Sequence, residues 1–263
     1  SHKVNIEKIS KMEAHVQNSL MDTAEDTLKK LIFTIFKLVF KLKQWPDFSG
    51  EDRKLMMLTV TSPENLSNID NLKQQHLQFV DPASNASNYG NVPIFINLAY
   101  NVHGNEPSSS EAALLTAYTL VASESSEIKK YRTNSVIFID PTINPDGRDR
   151  HTQWANTYQG TPEVSDPQDA EHNEYWPGGR TNHYWFDLNR DWLLAIHPES
   201  RGKLAWHHEW YPNVTTDFHE MGTQSTYFFE PMKTNGSLDP IMPKENYEDL
   251  NNLFGNYFAK ALD

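Results

Sequence analysis

Two apolar runs constrain this chain more than anything else in it. Val92 to Ala99 (VPIFINLA) and Ser135 to Asp140 (SVIFID) are apolar at successive positions, so both faces of each pleat need covering. That pattern belongs to strands buried in a sheet with helices packed against it. Between them, Ala112 to Ala122 has helical character, preceded by the capping-type residues Ser108, Ser109, Ser110 and Glu111. A strand, helix, strand order at this spacing predicts an α/β fold with some parallel pairing.

The remaining pattern fits one domain over residues 1–263. Residues 5–36 are rich in Glu, Lys, Leu and Met without Pro or Gly, which predicts one or two amphipathic helices. Residues 37–45 and 53–61, split by Pro46, Asp47, Ser49 and Gly50, predict a hairpin. Pro63 follows Ser62 as the first helical residue of a new segment, and Glu64 complements the helix dipole. Residues 141–185 carry Asn, Asp, Gly, Pro and aromatics with little periodicity, and predict a long functional loop. A helix over Pro198 to Trp210, a strand over Asn213 to Phe218 and a helix over Lys244 to Leu262 complete the reading.

Charge and composition exclude several classes of partner. With 23 Lys and Arg against 35 Asp and Glu the net charge is -12, which disfavours nucleic acid and anionic lipid. The longest apolar candidate, Leu31 to Phe40, is interrupted by Thr34 and Lys37, short of the ~18 residues of a membrane span. With no cysteine among the 263 residues, a zinc ion can be held only by His, Asp or Glu.

His103 and Glu106 stand three apart where the first buried strand runs out, the place where ligands collect in open α/β sheets. Two imidazoles and one carboxylate around Zn²⁺ leave a fourth position for water, the pattern of a catalytic site. His219, at the end of another short strand, supplies the third ligand. His151, His172, His183, His197, His207 and His208 read as surface or structural histidines.

Four motifs occur in one order: His103-Gly104-Asn105-Glu106, Asn144-Pro145-Asp146-Gly147, Asp187-Leu188-Asn189-Arg190 and Asp217-Phe218-His219. Together they resemble the zinc carboxypeptidase family of the carboxypeptidase A type, over roughly residues 50 to 263, whereas residues 1–50 match it poorly. The resemblance implies a three-layer sandwich with a mixed, twisted sheet flanked by helices. It also implies one Zn²⁺ held by His103, Glu106 and His219, and hydrolysis of the C-terminal peptide bond of a peptide. Asn189 and Arg190 resemble the pair that grips the substrate's terminal carboxylate, for which a guanidinium beside an amide is chemically apt. The family's oxyanion-stabilising arginine has three candidates here, Arg148, Arg150 and Arg180, of which Arg150 is favoured. Tyr184, Trp185, Phe186, Tyr227 and Phe228 are candidates to line the side-chain pocket.

The resemblance also has a gap. The family's glutamate base should follow the third ligand on a later strand, and Glu220, Glu230, Glu245 and Glu248 do not stand in its context. The expectation is a domain incomplete at its C-terminus, inactive if taken alone. Glu220 neighbours a ligand on a strand and so points to the other face, which suggests a structural role. Two alternatives remain open: a deacylase, amidase or cell-wall peptidase on the same scaffold, and a zinc-binding module without catalysis. The substrate class is a peptide or amino-acid derivative with a free carboxylate, and an extracytoplasmic location is favoured.

Overall fold

The computed structural model describes residues 40–87, 90, 92–222, 225 and 243–262, with residues 40–47 and 262 as backbone only. The helices expected over residues 5–36 lie outside the described residues. By internal packing the chain divides between Glu220 and Met221. The first unit holds a five-stranded sheet, and the second holds one described helix, α7, over Lys244–Leu262.

The sheet is built from β1 (Phe40–Phe48), β2 (Lys54–Val60), β3 (Ile94–Tyr100), β4 (Ser135–Asp140) and β5 (Val214–Phe218), in the order β1-β2-β4-β3-β5. β1 and β2 form the antiparallel hairpin, β2 also pairs antiparallel with β4, and β3 pairs parallel with both β4 and β5. The two apolar runs are thus central neighbours, and every residue of β4 is buried.

Alternation along these strands divides the core. Phe95, Val136 and Phe138 pack on one face with Leu55 and Met57, under Leu72 of helix α2 (Ile69–Val80) and Trp206 and Trp210 of helix α6 (Pro198–Trp210). Ile137 and Ile139 turn to the other face with Val60 and Tyr100, under Ala113 and Leu120 of helix α3 (Pro107–Ala122) and Ile128 of helix α4 (Ser126–Asn134). Helices therefore cover both faces and make the expected three layers. Each large apolar side chain so buried contributes about 1.5–3 kcal/mol.

Several elements depart from the sequence reading: α3 begins at Pro107 rather than at Ala112, α2 and α4 have no counterpart in it, and β1 and residues 141–185 differ most. β1 runs through Pro46 and Asp47 to Phe48, with a register shift between Gln44 and Phe48. Proline is tolerated there because β1 pairs only with β2 among the described residues, and a strand so placed has spare N–H positions. The long loop expected over residues 141–185 contains helix α5, Pro145–Tyr158. Its surface is almost wholly polar, so it has no apolar stripe to detect. Its start is also disguised, because Asn144-Pro145-Asp146-Gly147 has the composition of a turn but acts as a cap. The Asn144 side chain accepts from the Gly147 N–H, and Pro145 stands in the first helical turn. Helix α1 (Pro63–Ser67) starts as expected, with Ser62 accepting from the Asn65 N–H and Pro63 in its first turn.

Candidate metal centre

The site begins with the turn from β3 into α3. Asn101 is fully buried with a left-handed backbone, φ 59°, a conformation that asparagine tolerates better than most residues. Its side-chain amide donates to the carbonyls of His103 and Glu106 at 2.9 and 3.0 Å, and its own N–H donates to Ser109 Oγ at 2.8 Å. The chain is thereby folded back so that residues 103 and 106 share one side. Gly104 is required by close approach: a Cβ there would lie 2.1 Å from the Arg148 nitrogen and 2.2 Å from the Gly147 carbonyl carbon, both backbone atoms. Two of the sequence motifs thus meet backbone to backbone.

His103, Glu106 and His219 come together, with one ligand atom from each lying within 4.8 Å of the others. His103 Nδ1 stands 2.8 Å from Glu106 Oε1, and His219 Nδ1 stands 3.1 Å from Glu106 Oε2. The opposite nitrogens are each held by an aspartate: His103 Nε2 is 3.0 Å from Asp187 Oδ1, and His219 Nε2 is 2.9 Å from Asp217 Oδ2. Each ring therefore has one nitrogen anchored outward and the other aimed at the shared carboxylate. A carboxylate behind a ligating histidine is the usual means of fixing its tautomer and orientation.

The donor set suits a divalent cation. Burial raises the Glu106 carboxyl, but hydrogen bonds with His103, His219 and the Glu220 N–H outweigh it and hold the group at about 2. Hydrogen bonds with Asp217 and Glu106 push the His219 imidazole up to about 10, against its burial. For Asp187, burial again raises the carboxyl, and His103 followed by Arg180 lowers it below its ordinary value. Three carboxylates around two imidazoles thus create a site of negative potential. Two ring nitrogens and a carboxylate converging on one point match a three-ligand zinc site with an open fourth position.

The other expected site residues fall on different sides of this cluster. Asn189 lies beside it, its amide nitrogen 3.5 Å from His219 Nε2, in a 3-10 turn over Leu188–Arg190. Arg190 is exposed and donates to the Asn189 carbonyl. It pairs with neither nearby aspartate: Asp187 serves His103 and Arg180, while Asp191 accepts from the N–H groups of Ile196 and His197. Arg150 is spent on the loop beyond α5, donating to the carbonyls of Gly178, Thr181 and Asn182. Arg148 pairs with Glu111 at 2.9 Å. Arg180 is the arginine joined to the cluster, donating to Asp187 Oδ2 at 2.9 Å. Glu220 turns its carboxylate to the start of α3, accepting from the Ser108 N–H and hydroxyl. Of the pocket aromatics, Tyr184 and Trp185 are exposed and Phe186 packs on the His197 ring, whereas Tyr227 and Phe228 lie outside the described residues.

Residues 48–261 match the zinc carboxypeptidase family. The chain belongs to that family. All four motifs fall inside the matched span. No curated protein matches the chain significantly. Among solved structures, it is similar to a metallo-carboxypeptidase from Burkholderia cenocepacia, at 14% identity and TM-score 0.46 over 75% of this chain and 40% of that one. It is also similar to carboxypeptidase A from Helicoverpa armigera, at 17% identity and TM-score 0.43 over 73% of this chain and 44% of that one. A metallo-carboxypeptidase from Pseudomonas aeruginosa, solved with (2-guanidinoethylmercapto)succinic acid, aligns at 16% identity and TM-score 0.42 over 75% of this chain and 39% of that one. The chain spans less than half the length of each of these three. No helix among the described residues is long and apolar enough to cross a membrane.

Sequence reasoning missed the partners of the zinc carboxypeptidase motifs. Asp187 and Asp217 were visible only as motif letters, because the His103 to Asp187 bond joins residues 84 apart. Asn101 carried one available signal: an asparagine directly after a buried strand and before HxxE is a candidate for a left-handed turn.

Proposed function

We propose that this chain forms the zinc site of a metallocarboxypeptidase, with His103, Glu106 and His219 holding one Zn²⁺. The observation that carries this reading is the pair of imidazoles, each anchored by an aspartate and each aiming Nδ1 at the Glu106 carboxylate. When bound, zinc supplies Lewis-acid polarisation of a scissile carbonyl and acidifies water at its open position. Asp187 and Asp217 keep the two rings in the ligating orientation.

Asn189 and Arg190 receive the terminal carboxylate of a peptide, the amide standing next to His219 and the exposed guanidinium free of carboxylate partners among the described residues. A bidentate clamp of this kind limits reaction to the last peptide bond. Arg180 is assigned the oxyanion role in place of Arg150, because Arg180 already reaches the cluster through Asp187, while Arg150 would have to abandon three loop carbonyls. Glu220 is not assigned the base, since its carboxylate is engaged at Ser108.

The test is bound zinc by elemental analysis on this chain and on His219→Ala, with hydrolysis of a blocked dipeptide bearing a free C-terminus. Near-stoichiometric zinc that the variant loses supports the ligand set. Turnover then marks a peptidase, and zinc without turnover marks a binding module. A folded chain without zinc overturns the reading.

A further inference from the structure

The register of the parallel strands places two aspartates on either side of one small residue. Ala99 of β3 pairs with Asp140 of β4 and with Asp217 of β5. Paired residues in a sheet share a face, so Asp140 and Asp217 point the same way, about 10 Å apart across two strand spacings. Asp140 is buried, whereas Asp217 reaches up to His219 Nε2. Two like charges at this range repel, the more so because one of them is out of water. Burial raises the Asp140 carboxyl, and Asp217 adds to the rise against the pull of Lys203.

That lysine comes from α6, which covers the same face. Lys203 is only 5% exposed, and Nζ stands 3.0 Å from Asp140 Oδ2, 3.4 Å from Asn97 Oδ1 and 5.0 Å from the Trp206 ring centroid. A buried ammonium is costly unless it compensates a charge. Asn97 lies two residues before Ala99 on the same face, so the ammonium sits beneath the aspartate row.

We propose that Lys203 is a positioning residue for the metal centre: its charge balances Asp140, which leaves Asp217 free to hold His219. This rests on the zinc reading of His103, Glu106 and His219. Removing Lys203 leaves the buried Asp140 carboxylate uncompensated across Ala99 from Asp217, which stays paired with His219, and the added repulsion weakens the hold of Asp217 on the ring. Removing Asp140 frees the ammonium to compete with His219 for Asp217. Either change alone should loosen the ring, and both together should restore balance.

The experiment measures zinc affinity by competition with a chromophoric chelator, and folding by circular dichroism, on the full chain. Lys203→Met and Asp140→Asn should each weaken zinc by about threefold to tenfold, less than the 10–100-fold typical of losing a direct partner of a ligand. The double variant should return within about twofold of the parent chain. Lys203→Met added to Asp217→Asn should have no further effect. If Lys203→Met does not fold, Asp140→Asn against the double variant decides. Singles that fold less stably but bind zinc as the parent does overturn the inference and leave a structural ion pair. A parent chain that binds no zinc overturns the metal reading and this inference with it.

Discussion

The two halves of the metal cluster are built in different ways. His103 and Glu106 are held from within: His103 is 3% exposed, the turn before it is closed by Asn101, and Gly104 abuts the first turn of α5. His219 directly follows β5, a strand that pairs with β3 alone among the described residues and has no fully buried residue. Beyond its ladder with β3 and the Thr216 hydroxyl donating to the Asn97 carbonyl, its attachments among the described residues lie near its end. Phe218 stacks on Tyr100 with centroids 4.2 Å apart, the Phe218 carbonyl accepts from Ser109 Oγ, and the Glu220 N–H donates to Glu106. One half is a product of the core, and the other is fastened mainly by polar bonds to the first. Substitutions in the first half should therefore act on folding as well as on the metal, and those in the second mainly on the metal.

The sharpest test is Gly104→Ala. Its methyl group meets backbone on α5 at 2.1 Å, so the turn and the helix must part, and a loss of about 4 kcal/mol or more is expected in chemical denaturation. A variant as stable as the parent would break the contrast. His219→Ala is expected to weaken zinc by more than about a hundredfold, exceeding the usual effect of a partner behind a ligand, while the melting temperature of the metal-free chain moves by only a few degrees. A large drop in that melting point would show that the β5 half also carries the fold. Asp217→Asn, which weakens the hold on one His219 nitrogen, should cost about 10–100-fold in zinc affinity with little change in melting.

Smaller effects sharpen the boundary. Arg150→Met leaves three loop carbonyls without their donor, so about 1–3 kcal/mol of stability should be lost. Zinc affinity should be unchanged, and a change would return Arg150 to the metal site. Glu220→Gln weakens the carboxylate at the start of α3, for which about 0.5–1 kcal/mol is expected. Thermal denaturation at several salt concentrations would read it, since a charge interaction at a helix terminus fades with screening.

The legible parts of the molecule were those set by local pattern. The runs at 92–99 and 135–140 announced β3 and β4 because few of their positions are polar, although only β4 is buried throughout and β3 exposes Ile94; α6 and α7 fall over the spans expected for them. Helix α5 was hidden because a solvated helix has no stripe, and the extension of β1 through Pro46 because its tolerance depends on β1 pairing with β2 alone among the described residues. Within the site, the meeting of His103, Glu106 and His219 in one cluster was legible from motif and chemistry together. The anchoring by Asp187 and Asp217 was not, because which aspartate stands behind which ring depends on strand register and loop path. Arg150 and Arg180 could not be separated by spacing for the same reason: the difference lies in which carbonyls the loop after α5 presents.

The pairing of β5 with β3 also has a kinetic side. Glu106 and His219 are 113 residues apart, and they meet only after a strand from late in the chain has found a parallel partner formed much earlier. Contacts of such long range close slowly, since loop entropy is lost before any bond forms. His103 and Glu106 can assemble with the first crossover, but the third ligand, the His219 imidazole, arrives only when the last described strand docks. Any ion that needs all three groups would therefore be captured at the end of folding, and its uptake in a refolding experiment would time the docking of β5.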